Sequence, residues 1–501
     1  MKLENKHLKL VFLFIIGLSF LASCSKNNDT EEIQPITLNN EINDFIWKGL
    51  NEVYLWQEFI PNLADTKFST QDEYFTFLNN YTTPENLFDA LLYQKDKVDR
   101  FSFLVDDYIA LENSFQGTTK SNGLDFGLVR LSGSNDVFGY IRYVANDSDA
   151  ASKNINRGEF FLTVNGQQLT INNYASLLFG SSDSYTLGMA NITNSNISLN
   201  GKTVNLTKTN FTENPILLNR VIDANGIKVG YLMYNGFIAN FDKELNNAIG
   251  QLKSQGITEL VLDLRYNPGG SVRSSIFLSS MITGQFNTNV FSREKWNSKY
   301  QAYFQANDPE SLINRFTDKL SDNTAINSLN LSKVYILTTE DTASASELVI
   351  HCLDAYIDVI QIGTNTTGKY TASITLYDSP DFGRTNANPN HKYAMQPLVL
   401  KSSNVNGISD YFNGLAPDYA ITYQTSSGNI AEGENLLNLG ILGDVNEPFL
   451  EKALSLITGT TSKFDIKKSN KFVSIAIEPI AVSKDFTPLG KGMYKNINLN
   501  Y

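Results

Sequence analysis

Apolar positions first recur at helical spacing from Glu41, where Ile42, Phe45, Ile46, Leu50 and Val53 share one face. A second helix is expected to start at Ser69. A third is expected at TTPEN, with Thr83 as the cap and Pro84 in the first turn. This helical block ends near VDRFSFLVDDY. The period then changes to two: FGLVRL and GYIRYV alternate as half-buried strands do. SDAASKNI reads as a short helix. RGEFFLTVNGQQLT reads as a strand ending in an Asn165-Gly166 turn, a strong hairpin signal. NNYASLLFG reads as a helix, and SYTLGMANI and KTVNLTK as strands.

From about Glu213 strands and helices alternate. KVGYLMYNGF predicts a strand, and NFDKELNNAIGQLKSQG a helix with Phe241, Leu245, Ala248, Ile249 and Leu252 on one face. ELVLDLRYN is nearly unbroken apolar sequence, as expected of a strand covered on both faces. PGGSVRSSIFLSSMI turns into a helix. KVYILTT is another buried strand, followed by a helix entry at TASASELVIHCL, and DVIQIG is a further strand. The polar stretch 291–330 reads as a helical excursion.

A length of 501 residues exceeds one ordinary core and predicts roughly two to four domains. The start is basic, with Lys2, Lys6 and Lys9. An apolar run from Leu10 to Leu21 follows, shorter than the ~20 residues a spanning helix needs. It ends in LASC, which resembles a bacterial lipobox, so residues 1–23 are expected to be a signal peptide and Cys24 to be lipidated. Residues 24–38 are polar and read as a tether. The formal charge is −12, and loss of the leader removes more positive than negative charge, which disfavours nucleic acid as a partner. Cys352 is the other cysteine. With Cys24 acylated it has no disulfide partner, and its place in an apolar helix suits a small core residue. Of three histidines, His7 leaves with the leader, and no residue cluster has metal-ligand spacing.

Three stretches carry candidate chemistry. In TASASE, Ser344 and Glu347 fit the capping box, so Ser344 could be only an N-cap. A helix start also stabilises an oxyanion. In LDLRYNPGG, a buried strand ends where Gly269 and Gly270 can present bare N–H groups. In TTGKY, Lys369 follows a glycine, which taken alone suits a solvated turn.

Together, in this order, the three stretches resemble the C-terminal processing (tail-specific) serine peptidases. The resemblance implies Ser344 as nucleophile and Lys369 as general base. It implies backbone N–H groups of Ala345 and of Gly269 or Gly270 as oxyanion donors. Many members carry a glutamine shortly after the lysine, which helps to orient it. Here Ser373 holds that position and Tyr370 replaces the usual glycine, so Ser373 is the candidate orienter. The β-rich stretch before them resembles a PDZ domain. GLDF (Gly123, Leu124, Asp125, Phe126) matches its carboxylate-binding loop, and INRGEFFLTVNGQQL matches its ridge, with Glu159 where aspartate is usual.

The expectation is a multidomain α/β protein. Residues 39–115 would form a helical block and 116–212 a PDZ-like β-rich domain. Residues 213–465 would form a crotonase/Clp-protease-like α/β catalytic domain, and 466–501 a C-terminal extension. The implied function is a lipid-anchored Ser-Lys endopeptidase at the outer membrane, taking proteins or peptides by their free C-termini, with no cofactor and no metal. Two rivals are a PDZ-bearing lipoprotein that binds peptides without cutting them and an acyl-CoA enzyme of crotonase type. The export signal argues against the second, because acyl-CoA is cytoplasmic.

Overall fold

The computed structural model describes residues 35–193, 196–425, 429–462, 477–487, 490 and 492–495. Cys24 and the expected leader lie outside the described residues. Among the described residues no helix is long and apolar enough to cross a membrane.

The first helix, Glu41–Val53, is capped by Asn40 and buries Phe45, Ile46, Leu50 and Val53. The second, Gln71–Asn79, starts slightly later than expected. Thr70 accepts the Glu73 N–H, while the Glu73 carboxylate accepts the Ser69 N–H. The third, Pro84–Ala90, has its cap on Thr83 and its proline in the first turn. These helices do not close a core of their own. Their apolar residues belong to one cluster with Leu232, Leu260, Leu262, Ile336 and Leu348 of the α/β unit.

The β-rich unit is an antiparallel sheet. Strands Leu124–Leu131, Val137–Val144, Phe160–Val164, Ser184–Thr193 and Asn196–Thr207 pair in that order. The Asn165-Gly166 turn forms as read, with both residues at positive φ (51° and 77°) as a type I′ hairpin requires. Helix Tyr174–Phe179 packs beside it. The outer edge of strand Leu124–Leu131 is not open. Segment Ile477–Val482 pairs antiparallel along it.

The α/β unit is built on a sheet ordered Ile216–Ala224, Ile227–Tyr234, Glu259–Asp263, Lys333–Thr338, Asp358–Gly363 and Tyr419–Ala420. All neighbours run parallel except the first pair. Leu260, Val261 and Leu262 are fully buried, which explains their unbroken apolar run. A second sheet stands beside it, ordered Gly270–Ser271, Met493–Tyr494, Thr371–Ser373, Leu398–Ser403, Val290–Trp296 and Ile313–Arg315. The stretch 291–330 is therefore not simply a helical excursion. Its start alternates toward the core, with Phe291, Ser292, Glu294 and Trp296 buried, and pairs as a strand with Leu398–Ser403 before helix Ser298–Asn307 begins.

Candidate active site

The loop after strand Lys333–Thr338 is pinned to the end of strand Glu259–Asp263 by hydrogen bonds. The Thr342 hydroxyl donates to the Leu264 carbonyl at 2.9 Å, and the Ala343 N–H to that of Asn267 at 3.1 Å. The Ser346 hydroxyl donates to the Asn267 carbonyl at 3.1 Å. The loop therefore delivers Ser344 at φ 68°, ψ −115°, a conformation that a residue with a Cβ adopts at a cost of order 1–3 kcal/mol. Ser344 is fully buried, and its Oγ has no hydrogen-bond partner. Of the two serines, Ser346 is engaged in holding the loop and Ser344 is held ready.

The capping box forms in one half only. The Glu347 carboxylate accepts the Ser344 N–H at 2.7 Å, but the Ser344 hydroxyl does not cap the helix in return. Glu347 does more than a cap. The oxygen that takes the Ser344 N–H also accepts the Lys369 N–H at 2.8 Å, and its twin accepts the Gly368 N–H at 2.6 Å and the Thr366 hydroxyl at 2.5 Å. One fully buried carboxylate thus ties the serine loop to the lysine loop. Burial pushes its pKa up, and the four donors oppose that.

Lys369 is buried, 1% exposed, with its Nζ 4.9 Å from the centre of the Phe101 ring. Burial pushes its pKa down to about 7, against the opposing charges of Asp99 and Glu347. Gly368 precedes it at φ 87°, where a Cβ would stand 2.1 Å from the Phe412 carbonyl oxygen, so the lysine loop needs a glycine there. Arg100 donates to the Gly368 carbonyl at 2.7 Å and to that of Phe412 at 3.1 Å. Tyr370 packs edge-on against Tyr411.

The two histidines are engaged elsewhere. His351 Nε2 pairs with the Ile408 carbonyl, and His391 Nε2 with Asp378. Cys352 is fully buried and unpaired, and burial pushes its thiol up, which makes it a core residue. Among the described residues no group of acidic, histidine or cysteine side chains could hold a metal ion.

Three sequence expectations need correction. The Gly269 N–H is spent on Asn267 Oδ1 at 2.9 Å, inside its own turn. Gly270 and Ala345 remain as candidate oxyanion donors, Gly270 where it pairs with Met493 and Ala345 at a helix start where the N–H has no intrahelical partner. The Ser373 hydroxyl is turned to Gln396 Oε1 at 2.6 Å and the Met493 carbonyl at 3.2 Å, because strand Thr371–Ser373 lies beside both residues. The GLDF loop is not an open cradle. The Gly123 N–H goes to Ser121 Oγ, that of Leu124 to Asn122 Oδ1, and that of Phe126 to Ser483 Oγ.

Asp125 of that loop takes part in a wider link. Its carboxylate accepts from Arg142 Nε at 2.5 Å, and the same buried guanidinium pairs with Asp341 in the serine loop. Sequence reading missed Arg142 and Asp341, and also Asp99, Phe101 and Gln396. VDRFSF had read only as the end of the helices, whereas it presents Asp99 and Phe101 to the lysine. Glu347 had a signal, the Ser-x-x-Glu spacing, which was read as a cap alone.

Residues 228–394 match Peptidase family S41, and residues 41–103 match the Peptidase S41 N-terminal domain. A carboxyl-terminal-processing protease of Picosynechococcus is 29% identical over 180 residues, covering 36% of this chain and 38% of the relative. Carboxyl-terminal-processing peptidase 3 of Arabidopsis thaliana is 24% identical over 230 residues, covering 44% and 41%. The matched stretches thus span less than half of either relative. A solved structure of a candidate S41 protease from Bacteroides fragilis shares the fold with a TM-score of 0.62, at 24% identity, over 85% of this chain and 99% of that one.

Proposed function

From a chain that carries the two S41 domains, we propose a serine endopeptidase in which Ser344 and Lys369 form the catalytic pair. The observation that carries this is the contrast between the groups. Ser344 has a strained backbone and an unengaged hydroxyl, and Lys369 is a buried amine whose pKa is lowered to about 7. A neutral lysine can take the serine proton, which an amine at its ordinary pKa of ~10.4 cannot. The Ser344 oxygen then adds to the scissile carbonyl, and the Gly270 and Ala345 N–H groups receive the oxyanion. Lysine returns the proton to the leaving amine, and water hydrolyses the acyl-enzyme. Glu347 holds the two loops in register throughout.

In this reading the β-rich unit is PDZ-like and takes an extended peptide along strand Leu124–Leu131. The α/β unit is crotonase-like, and the protein is an exported lipoprotein anchored at the outer membrane through Cys24. A fluorophosphonate probe should label Ser344 and not Ser346, read by mass spectrometry of the labelled peptide. Labelling of Ser346 alone would shift the proposed nucleophile by two residues, and no labelling with no hydrolysis of an unfolded protein would reject the peptidase.

The lysine sets the pH dependence. kcat/KM on a peptide should rise through about pH 7 and level off above it, as the ammonium proton is lost. Stability should follow the same sign. A folded-state pKa below the ordinary 10.5 means that the folded chain binds fewer protons between about 7 and 10.5, so stability rises with pH across that window. Denaturation midpoints of the wild type should show this slope, and Lys369→Met should lose that contribution.

A further inference from the structure

The described residues between Ile477 and Lys495 touch both halves of the molecule in turn. It first lies on the free edge of strand Leu124–Leu131, in antiparallel register from Ile477 opposite Leu131 to Val482 opposite Gly127. Ser483 then takes the place of a ligand at GLDF. Its hydroxyl accepts the Phe126 N–H at 3.2 Å and donates to Asp125 at 3.0 Å. Phe486 stacks on Phe179 with ring centres 3.8 Å apart, at the lip of a cavity of about 360 Å³ lined also by Leu124, Phe126 and Tyr185. Lys484 reaches across to the carbonyls of Asn235 and Tyr266 in the α/β unit.

The segment then enters the site. A Cβ placed on Gly269 would touch the Ser344 Cβ at 2.6 Å and the Gly492 carbonyl oxygen at 2.7 Å, so the serine and that carbonyl flank one glycine face. Met493 and Tyr494 pair in parallel with Gly270 and Ser271, and the Lys495 N–H donates to the Ser373 carbonyl at 3.0 Å. The Ser271 N–H is already bonded to Phe237, so the ladder bonds of Gly270 run to the residues flanking Met493. A main-chain carbonyl thus stands beside Ser344, on the strand that pairs with a candidate oxyanion donor.

We propose that residues 477–487 and 492–495 are intrachain ligands of one peptide track, the first on the edge of strand Leu124–Leu131 and the second beside Ser344, and that a substrate must displace them to enter. The proposal rests on the peptidase reading for what the track delivers its peptide to. The track accordingly fits an extended peptide with an aromatic side chain at the Phe179 cavity, glycine opposite Ser344 and an apolar residue after it. Being tethered, the segment competes at an effective concentration of order mM.

The test introduces a recognition sequence for a site-specific protease between residues 463 and 476 of a full-length Ser344→Ala chain. Cutting there turns the tethered strand into one that can be diluted away. A fluorescein-labelled peptide copying residues 477–495 should then exchange in saturably, with an apparent affinity at least 10-fold above that for the uncut chain. Equal binding before and after the cut would overturn the proposal. So would unfolding on release of the segment, which would make it an integral strand. In the chain that keeps Ser344, the same cut should raise hydrolysis of an unfolded protein at least 10-fold. Hydrolysis that is present before the cut and unchanged by it would overturn the proposal. Peptide exchange without hydrolysis in either state would uphold the track and reject the peptidase.

Discussion

Ser344→Ala and Lys369→Ala should each lower kcat on an unfolded protein by about 10⁴-fold or more, and the double variant should be little worse than either. Non-additivity follows from the proposed roles: without the base the hydroxyl is inert, and without the hydroxyl the base has no proton to take. Both side chains are buried, so each variant needs a folding control. Ser344→Ala removes only an unengaged hydroxyl and should melt within a few degrees of the wild type. Ser346→Ala should keep substantial activity, because its hydroxyl holds a loop carbonyl. A dead Ser346→Ala beside an active Ser344→Ala would exchange their roles, and full activity in Lys369→Ala would remove the lysine from the mechanism.

Glu347→Ala should be the most damaging change that leaves both members of the pair in place. It strands four buried donors at once: the N–H groups of Ser344, Gly368 and Lys369 and the Thr366 hydroxyl. Each buried polar group left unpaired costs about 1–3 kcal/mol, less whatever water recovers in the vacated space. A net loss of roughly 3–5 kcal/mol is expected, visible as a lowered urea midpoint at unchanged slope. Glu347→Gln separates charge from geometry. Its amide keeps one acceptor oxygen but turns an NH₂ toward a backbone donor, so it should fold better than Glu347→Ala and still lose kcat more than KM. An unchanged midpoint in Glu347→Ala would mean that the two loops hold each other without it.

What the sequence made legible was local. Ser344, Lys369 and the Gly269-Gly270 turn each sit in a short stretch whose composition is dictated by backbone constraints. A buried strand must end, a helix must start, and Gly368 must avoid the Phe412 carbonyl. The Asn165-Gly166 hairpin and the Thr83 cap were readable for the same reason. Contacts between distant segments were not. Nothing in VDRFSF indicates that Phe101 will cover a lysine, or that its neighbour Arg100 will bond a glycine 268 positions away. The Ser373 expectation failed because Gln396, on a strand outside the motif, captured the hydroxyl. Strand Val290–Trp296 was read as helical because its buried face carries Ser292 and Glu294, whose polarity hid the alternation. The 477–482 strand has a proline, and its pairing partner lies hundreds of positions earlier, so no local pattern marks it.

The guanidinium of Arg142 is shared by Asp125 in the β-rich unit and Asp341 in the serine loop; it and Asp125 are buried, and Asp341 keeps partial contact with solvent. Removing one partner of such a buried pair typically costs about 3–5 kcal/mol. The β-rich unit is therefore not an interchangeable cartridge. A chimera that imports the corresponding unit of a relative inherits this charge requirement along with the sheet. Unless the graft brings an arginine and an aspartate to the same two places, the half-buried Asp341 is left without its arginine three positions before Ser344. Recombination that respects the visible boundary between sheets would cut through this ion cluster, and viable chimeras should carry Arg142 and Asp125 together.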